Sequence, residues 1–104
     1  MPELSIATLS NLQIYVNELE HERGFIEQTL LQKCLLMGEE MGELFKAIRK
    51  AENISTDKNS DTFHVAEELA DILIYLCAIA NRCDIDLEDA FRKKEDINKK
   101  RVWK

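Results

Sequence analysis

The feature that most constrains this chain is its poverty in chain breakers: three glycines, at positions 24, 38 and 42, and a single proline at position 2. Hairpins and meanders draw on Gly, Pro and Asn-Gly turns at short intervals. A chain of 104 residues with so few of them has helices as its natural regular structure. The length fits one domain, 1–104, with a core small enough that a second subunit would add useful burial.

Apolar spacing predicts four helices. The first covers about 10–21, with Leu12, Val16 and Leu19 on one side, and closes near Gly24. The second covers about 27–52 and ends in Lys46, Arg49 and Lys50, as the helix dipole favours. The polar stretch NISTDKNSD reads as a loop, and Asp61 as the cap of a third helix over about 62–82. In DIDLED, Asp86 is placed to cap a fourth helix over 87–101, with Asp89 three residues on. Short connections between such helices imply an antiparallel four-helix bundle.

The run LLMGEEMGELF, 35–45, places Glu39, Glu40 and Glu43 inside a segment that is otherwise apolar. At about 100° per residue the three fall within an arc of roughly 100°, which Leu36 and Ala47 share. On the third helix Glu67, Glu68, Asp71 and Tyr75 occupy a similar arc, surrounded by Leu69, Ile72, Leu73, Leu76 and Ile79. That helix is apolar on nearly every side and is expected to be central and covered on most faces. Two such faces packed together would crowd at least four carboxylates into a shielded space, which like-charge repulsion and desolvation oppose. A divalent cation removes the conflict. Carboxylates without thiolate or imidazole suit Mg²⁺, with Mn²⁺ as a substitute.

Half of the fourteen Lys and Arg residues lie in RKKEDINKKRVWK, 92–104. A stripe of Leu87, Ala90, Phe91, Lys94, Asn98 and Arg101 begins apolar and turns into donors, which fits a helix whose far half meets an anion. The net charge of −6 disfavours a nucleic-acid polymer as partner. The longest apolar stretch, LADILIYLCAIA, is well short of the ~20 residues of a membrane span. The start, MPELSIATLS, lacks the basic and apolar regions of a signal peptide. Cys34, Cys77 and Cys83 show no C-x-x-C spacing and are expected to be free, buried thiols, so the expected location is cytoplasmic.

GEEMGEL followed by EELADILIYL resembles the EExxE … ExxD signature of the MazG-like, all-α nucleoside triphosphate pyrophosphohydrolases. KKEDINKKR is similar to the K-x-x-x-N segment of their dCTP pyrophosphatase branch. The resemblance implies Mg²⁺-dependent cleavage of a nucleoside triphosphate to the monophosphate and pyrophosphate, by a homodimer or homotetramer. It implies Glu40, Glu43, Glu68 and Asp71 as metal ligands and Glu39 as the base. Lys94 and Asn98 match the contacts to phosphate and sugar, with Arg101 beside them, and Tyr75 and Phe25 match pocket-lining aromatics. That branch stacks its base on tryptophans, whereas the one tryptophan here is Trp103, and basic residues follow GELFKAI. The base is therefore left open. Two other readings compete: a di-iron carboxylate bundle, for which ELEH supplies one Glu-x-x-His, and a non-catalytic partner-binding helical protein with an acidic groove.

Overall fold

The computed structural model describes residues 2–53 and 58–101, of which 53 and 58–63 by backbone alone. Helix α1 spans Leu9–Arg23, and Thr8 Oγ1 caps it by accepting from the Asn11 N–H at 3.1 Å. Gly24 ends it in the left-handed conformation, φ 74°, where a side chain would be strained. A 3-10 turn, Phe25–Glu27, leads to α2, Leu30–Asn53. Helix α3 spans Lys58–Arg82 and α4 spans Leu87–Lys99. The four α-helices were expected, the 3-10 turn was not, and no strand occurs among the described residues.

The boundaries differ from expectation where capping was misread. Helix α2 starts three residues late because Thr29 and Gln32 form a reciprocal capping box. The Gln32 N–H donates to Thr29 Oγ1 at 3.1 Å, and the Thr29 N–H to Gln32 Oε1 at 2.8 Å. Helix α3 begins at Lys58, so Asp61 lies inside it rather than at its cap, and the expected loop is partly helical. Residues 54–57 of that loop, and Trp103, lie outside the described residues. Asp86 does cap α4, its Oδ1 accepting from the Asp89 N–H at 3.1 Å.

Helices α2 and α3 lie side by side in opposite directions, with Lys33 near Tyr75 at one end and Glu43 beside Glu68 further along. Helix α1 packs on α3, and α4 on α1. The core is small: Val16 and Leu19 of α1 close on Cys77 and Ala78 of α3, flanked by Leu12, Tyr15 and Leu87. A buried amide locks this corner. Gln13 Nε2 donates to Asn81 Oδ1 at 3.1 Å and to the Ile85 carbonyl at 2.8 Å, while its Oε1 accepts from the Leu87 N–H at 2.6 Å. One side chain thus ties α1 to the α3–α4 turn with its polar atoms satisfied.

Within the single chain α3 is covered only in part. Leu69 is 54% exposed, and on α2 Leu31, Leu35 and Phe45 are 68%, 63% and 62% exposed. The radius of gyration, 16.4 Å, exceeds the roughly 13 Å of a compact chain of this length. Three helices' worth of partners cannot surround a helix that is apolar all round. Of the cysteines only Cys77 is buried; Cys34, near the start of α2, and Cys83, in the turn just past the end of α3, are exposed.

Candidate functional site

Packing α2 against α3 brings Glu40, Glu68 and Asp71 together, with one carboxylate oxygen from each lying within 4.8 Å of the others. Glu68 and Asp71 sit one turn apart on α3, and Glu40 reaches them from the facing helix. The Glu40 carboxyl is pushed up to about 7, first by its hydrogen bond to the Glu68 carboxyl, then by burial and the charges of Glu68, Asp71 and Glu43. Burial, with Glu68 and Glu67 nearby, also raises Asp71. Glu68 Oε2 is shut off from solvent with no hydrogen-bonding partner. Crowded hard oxygens, one of them orphaned, fit a divalent cation better than they fit the bare protein. No histidine or cysteine joins the group among the described residues, which disfavours the di-iron arrangement.

Beside these acids, between α1, α2 and α3, is a cavity of about 200 Å³ whose wall includes Phe25, Lys33, Glu40, Asp71 and Tyr75. Phe25 and Tyr75, the two aromatics singled out in the sequence, both lie in its wall. Burial raises the Tyr75 phenol above its ordinary value, and the charges of Glu40, Asp71 and Glu39 add to it, so it remains a donor.

Glu20 and Lys33, which also line this cavity, belong with Arg82 to a buried ion triad that sequence reasoning missed. Glu20, 2% exposed, accepts from Arg82 at 2.9 and 2.8 Å and from Lys33 Nζ at 3.1 Å. Burial pushes the Glu20 carboxyl up, but the hydrogen bonds and charges of Arg82 and Lys33 outweigh it and bring it below the ordinary value. Arg82 also donates to the carbonyls of Phe25, Gln28 and Ala78, which pins the 3-10 turn and so fixes Phe25 at the cavity mouth. A faint sequence signal existed. Glu20 follows Val16 by one turn on the apolar side of α1, and Lys33 interrupts LLQKCLLM.

The remaining expected residues lie elsewhere. Glu39 and Glu43 are exposed and outside the close group; Glu43 shares with Glu68 the wall of a second cavity of about 200 Å³, along with Lys46, Lys50 and His64. Lys94, Asn98 and Arg101 line neither cavity, because α4 packs on α1. Phe91, in the apolar half of the α4 stripe, is 65% exposed. No helix among the described residues is long and apolar enough to cross a membrane.

Comparison with known proteins places this geometry in context. Residues 27–102 match the model of the MazG nucleotide pyrophosphohydrolase domain. The chain is similar to dCTP pyrophosphatase 1 of Rattus norvegicus, 41% identical over 69 residues, covering 64% of this chain and 41% of that protein. It is similar to dCTP pyrophosphatase 1 of Homo sapiens over 35 residues at 57% identity, covering 34% of this chain and 21% of that protein. The chain thus spans less than half the length of these relatives. The crystal structure of iMazG from Vibrio DAT 722 superposes with a TM-score of 0.64 at 33% identity, covering 89% of this chain and 95% of that one.

Proposed function

Because the chain belongs to the MazG nucleotide pyrophosphohydrolase domain family, we propose that it hydrolyses a nucleoside triphosphate to the monophosphate and pyrophosphate, using Mg²⁺ or, in its place, Mn²⁺. The observation that carries this reading is the convergence of Glu40, Glu68 and Asp71 from two helices, with one buried oxygen left unpartnered. These three would hold the ion, with Glu43 completing the set from one turn along α2. When bound, such an ion neutralises phosphate charge and lowers the pKa of a coordinated water.

The chain's own groups supply the rest. Glu39, exposed at the flank of the cluster, accepts the proton of the attacking water. Tyr75 and Phe25 bound the cavity beside the acids and exclude water from one side of the nucleotide. Lys94, Asn98 and Arg101 take phosphate and sugar. Since none lines a cavity beside the carboxylates within one chain, that role goes with a homodimer or homotetramer, whose interface would also cover the apolar faces of α2 and α3. The names of the relatives make dCTP the first substrate to try. The test is a panel of deoxy- and ribonucleoside triphosphates with Mg²⁺, with products separated by chromatography. Monophosphate and pyrophosphate in equal amounts are expected; diphosphate and inorganic phosphate, or no turnover of any nucleotide, would overturn the assignment.

A further inference from the structure

Lys33 is an unusual residue to find in the wall of this cavity. It is 4% exposed, it lies on α2 two turns before Glu40, and among the described residues its one hydrogen-bonding partner is Glu20 Oε2 at 3.1 Å. An ammonium group carries three donors. Glu20 takes one of them and is itself occupied on both oxygens by Arg82. The triad of one acid and two cations is left with a surplus positive charge. What otherwise surrounds the Lys33 Nζ is aromatic: it stands over the Phe25 ring at 5.2 Å and the Tyr75 ring at 5.5 Å. Ring faces attract a cation but do not replace a hydrogen bond, and a buried donor without an acceptor costs free energy that a ligand can restore.

The surroundings define what that ligand is. The cavity of about 200 Å³ places Lys33 beside Phe25, which keeps 41% of its surface exposed at the mouth, and beside Leu19, Ile74 and Ala78. A flat ring stacks on such a wall, whereas a phosphate does not: that part of the wall is apolar, and Glu20 already sits against the same ammonium. The group presented to Lys33 is therefore neutral, planar and carries an acceptor oxygen. We infer that Lys33 is a specificity-determining residue, donating a charge-assisted hydrogen bond to a ring carbonyl oxygen of a nucleobase stacked at Phe25. The inference rests on the nucleotide-hydrolase reading above and deepens it. Lysine offers donors only, so cytosine, thymine, uracil and guanine satisfy it with their carbonyl oxygens. Adenine has no carbonyl, and places an amino group where guanine has its oxygen.

The test compares wild type with Lys33→Met in binding and in turnover. Binding of dCMP, TMP, dGMP and dAMP in Mg²⁺ is measured by calorimetry, and kcat/KM is measured for the matching triphosphates. Loss of a charge-assisted contact to the base predicts a fall of roughly ten- to a hundredfold for the three carbonyl bases and less than about threefold for adenine. The wild-type preference against adenine should collapse. An equal fall for all four bases would mean that Lys33 acts only through the structure or the phosphates, and no fall would mean that it does not reach the base; either overturns the inference. If Lys33→Met does not fold, Lys33→Gln decides: its amide is both donor and acceptor, so it should admit adenine, and an unchanged base preference would overturn the proposal. The binding arm separates the two readings. Base-selective binding that depends on Lys33, without turnover of any triphosphate, would refute the hydrolase and uphold Lys33. Turnover with selectivity unaffected by the substitution would refute Lys33 alone. Wild-type protein that binds none of the four monophosphates overturns the inference as well.

Discussion

The carboxyl groups of Glu40 on α2 and Glu68 on α3 meet head to head, and their hydrogen bond is the strongest influence holding Glu40 at about 7. Two ionised carboxylates do not share such a bond; without metal, one proton is retained there across much of the acidic range.

A pH dependence follows for the metal-free protein. The folded pKa of Glu40 lies above the ordinary 4.5, so between about 4.5 and about 7 the folded state holds a proton that the unfolded chain has lost. The contribution is fully present below 4.5 and is lost as the pH rises through about 7. Glu20 is shifted the other way, so its contribution is present above 4.5 and fails only as the pH falls through its lowered value, outside that window. Urea denaturation of chelator-treated protein should therefore show stability declining from pH 5 to pH 8. Glu40→Gln should flatten the decline, and an equal decline in that variant would place its origin elsewhere.

The buried triad makes a stability prediction. Glu20→Gln leaves Arg82 and Lys33 in the interior without their carboxylate. Removing one partner of a buried ion pair costs about 3–5 kcal/mol, so the midpoint of denaturation should fall steeply at pH 7. A change under about 1 kcal/mol would show that water, not Glu20, satisfies these cations.

Much of this architecture was legible because local chemistry matched global packing. Gly24 stops α1, Asp86 starts α4, and the acids of α2 and α3 sit on facing arcs as the helical period requires. What failed to show was of two kinds. Thr29 and Gln32 cap α2 through side chains that resemble ordinary polar residues until both bonds are seen. Glu20 and Arg82 are 62 positions apart; a helical wheel sets Glu20 on the apolar side of α1, but nothing local marks which charge it will meet in the interior. Helix α4 shows a related limit. Its stripe marks a face, but the period of a helix does not say which neighbour that face will meet, and within one chain Phe91 and Lys94 are exposed.

The bare apolar faces predict assembly. Leu35 and Leu69 are 63% and 54% exposed in one chain, and surfaces of this kind are normally covered. Light scattering at micromolar concentration should give a dimer or tetramer, and Leu69→Glu should shift it toward monomer. Wild-type protein that scatters as a monomer would contradict this.

Lys94 and Lys100 distinguish a phosphate contact from a solvated basic end. Lys94→Ala should lower kcat/KM by about one to two orders of magnitude, the cost of one charge-assisted contact, while Lys100→Ala changes little. Metal binding without nucleotide should be intact in both. Small and equal effects would move the phosphate site off α4.

The most direct test of the central claim is pyrophosphate release supported by Mn²⁺ in wild type and in Glu68→Gln, with Mn²⁺ binding followed by electron paramagnetic resonance on the same samples. Glu68→Gln replaces a buried, orphaned oxygen by an amide of the same size, which preserves packing while removing a charged ligand. The account predicts a folded variant that binds Mn²⁺ at least tenfold more weakly and releases almost no pyrophosphate. Wild-type Mn²⁺ affinity together with wild-type turnover in Glu68→Gln would contradict it.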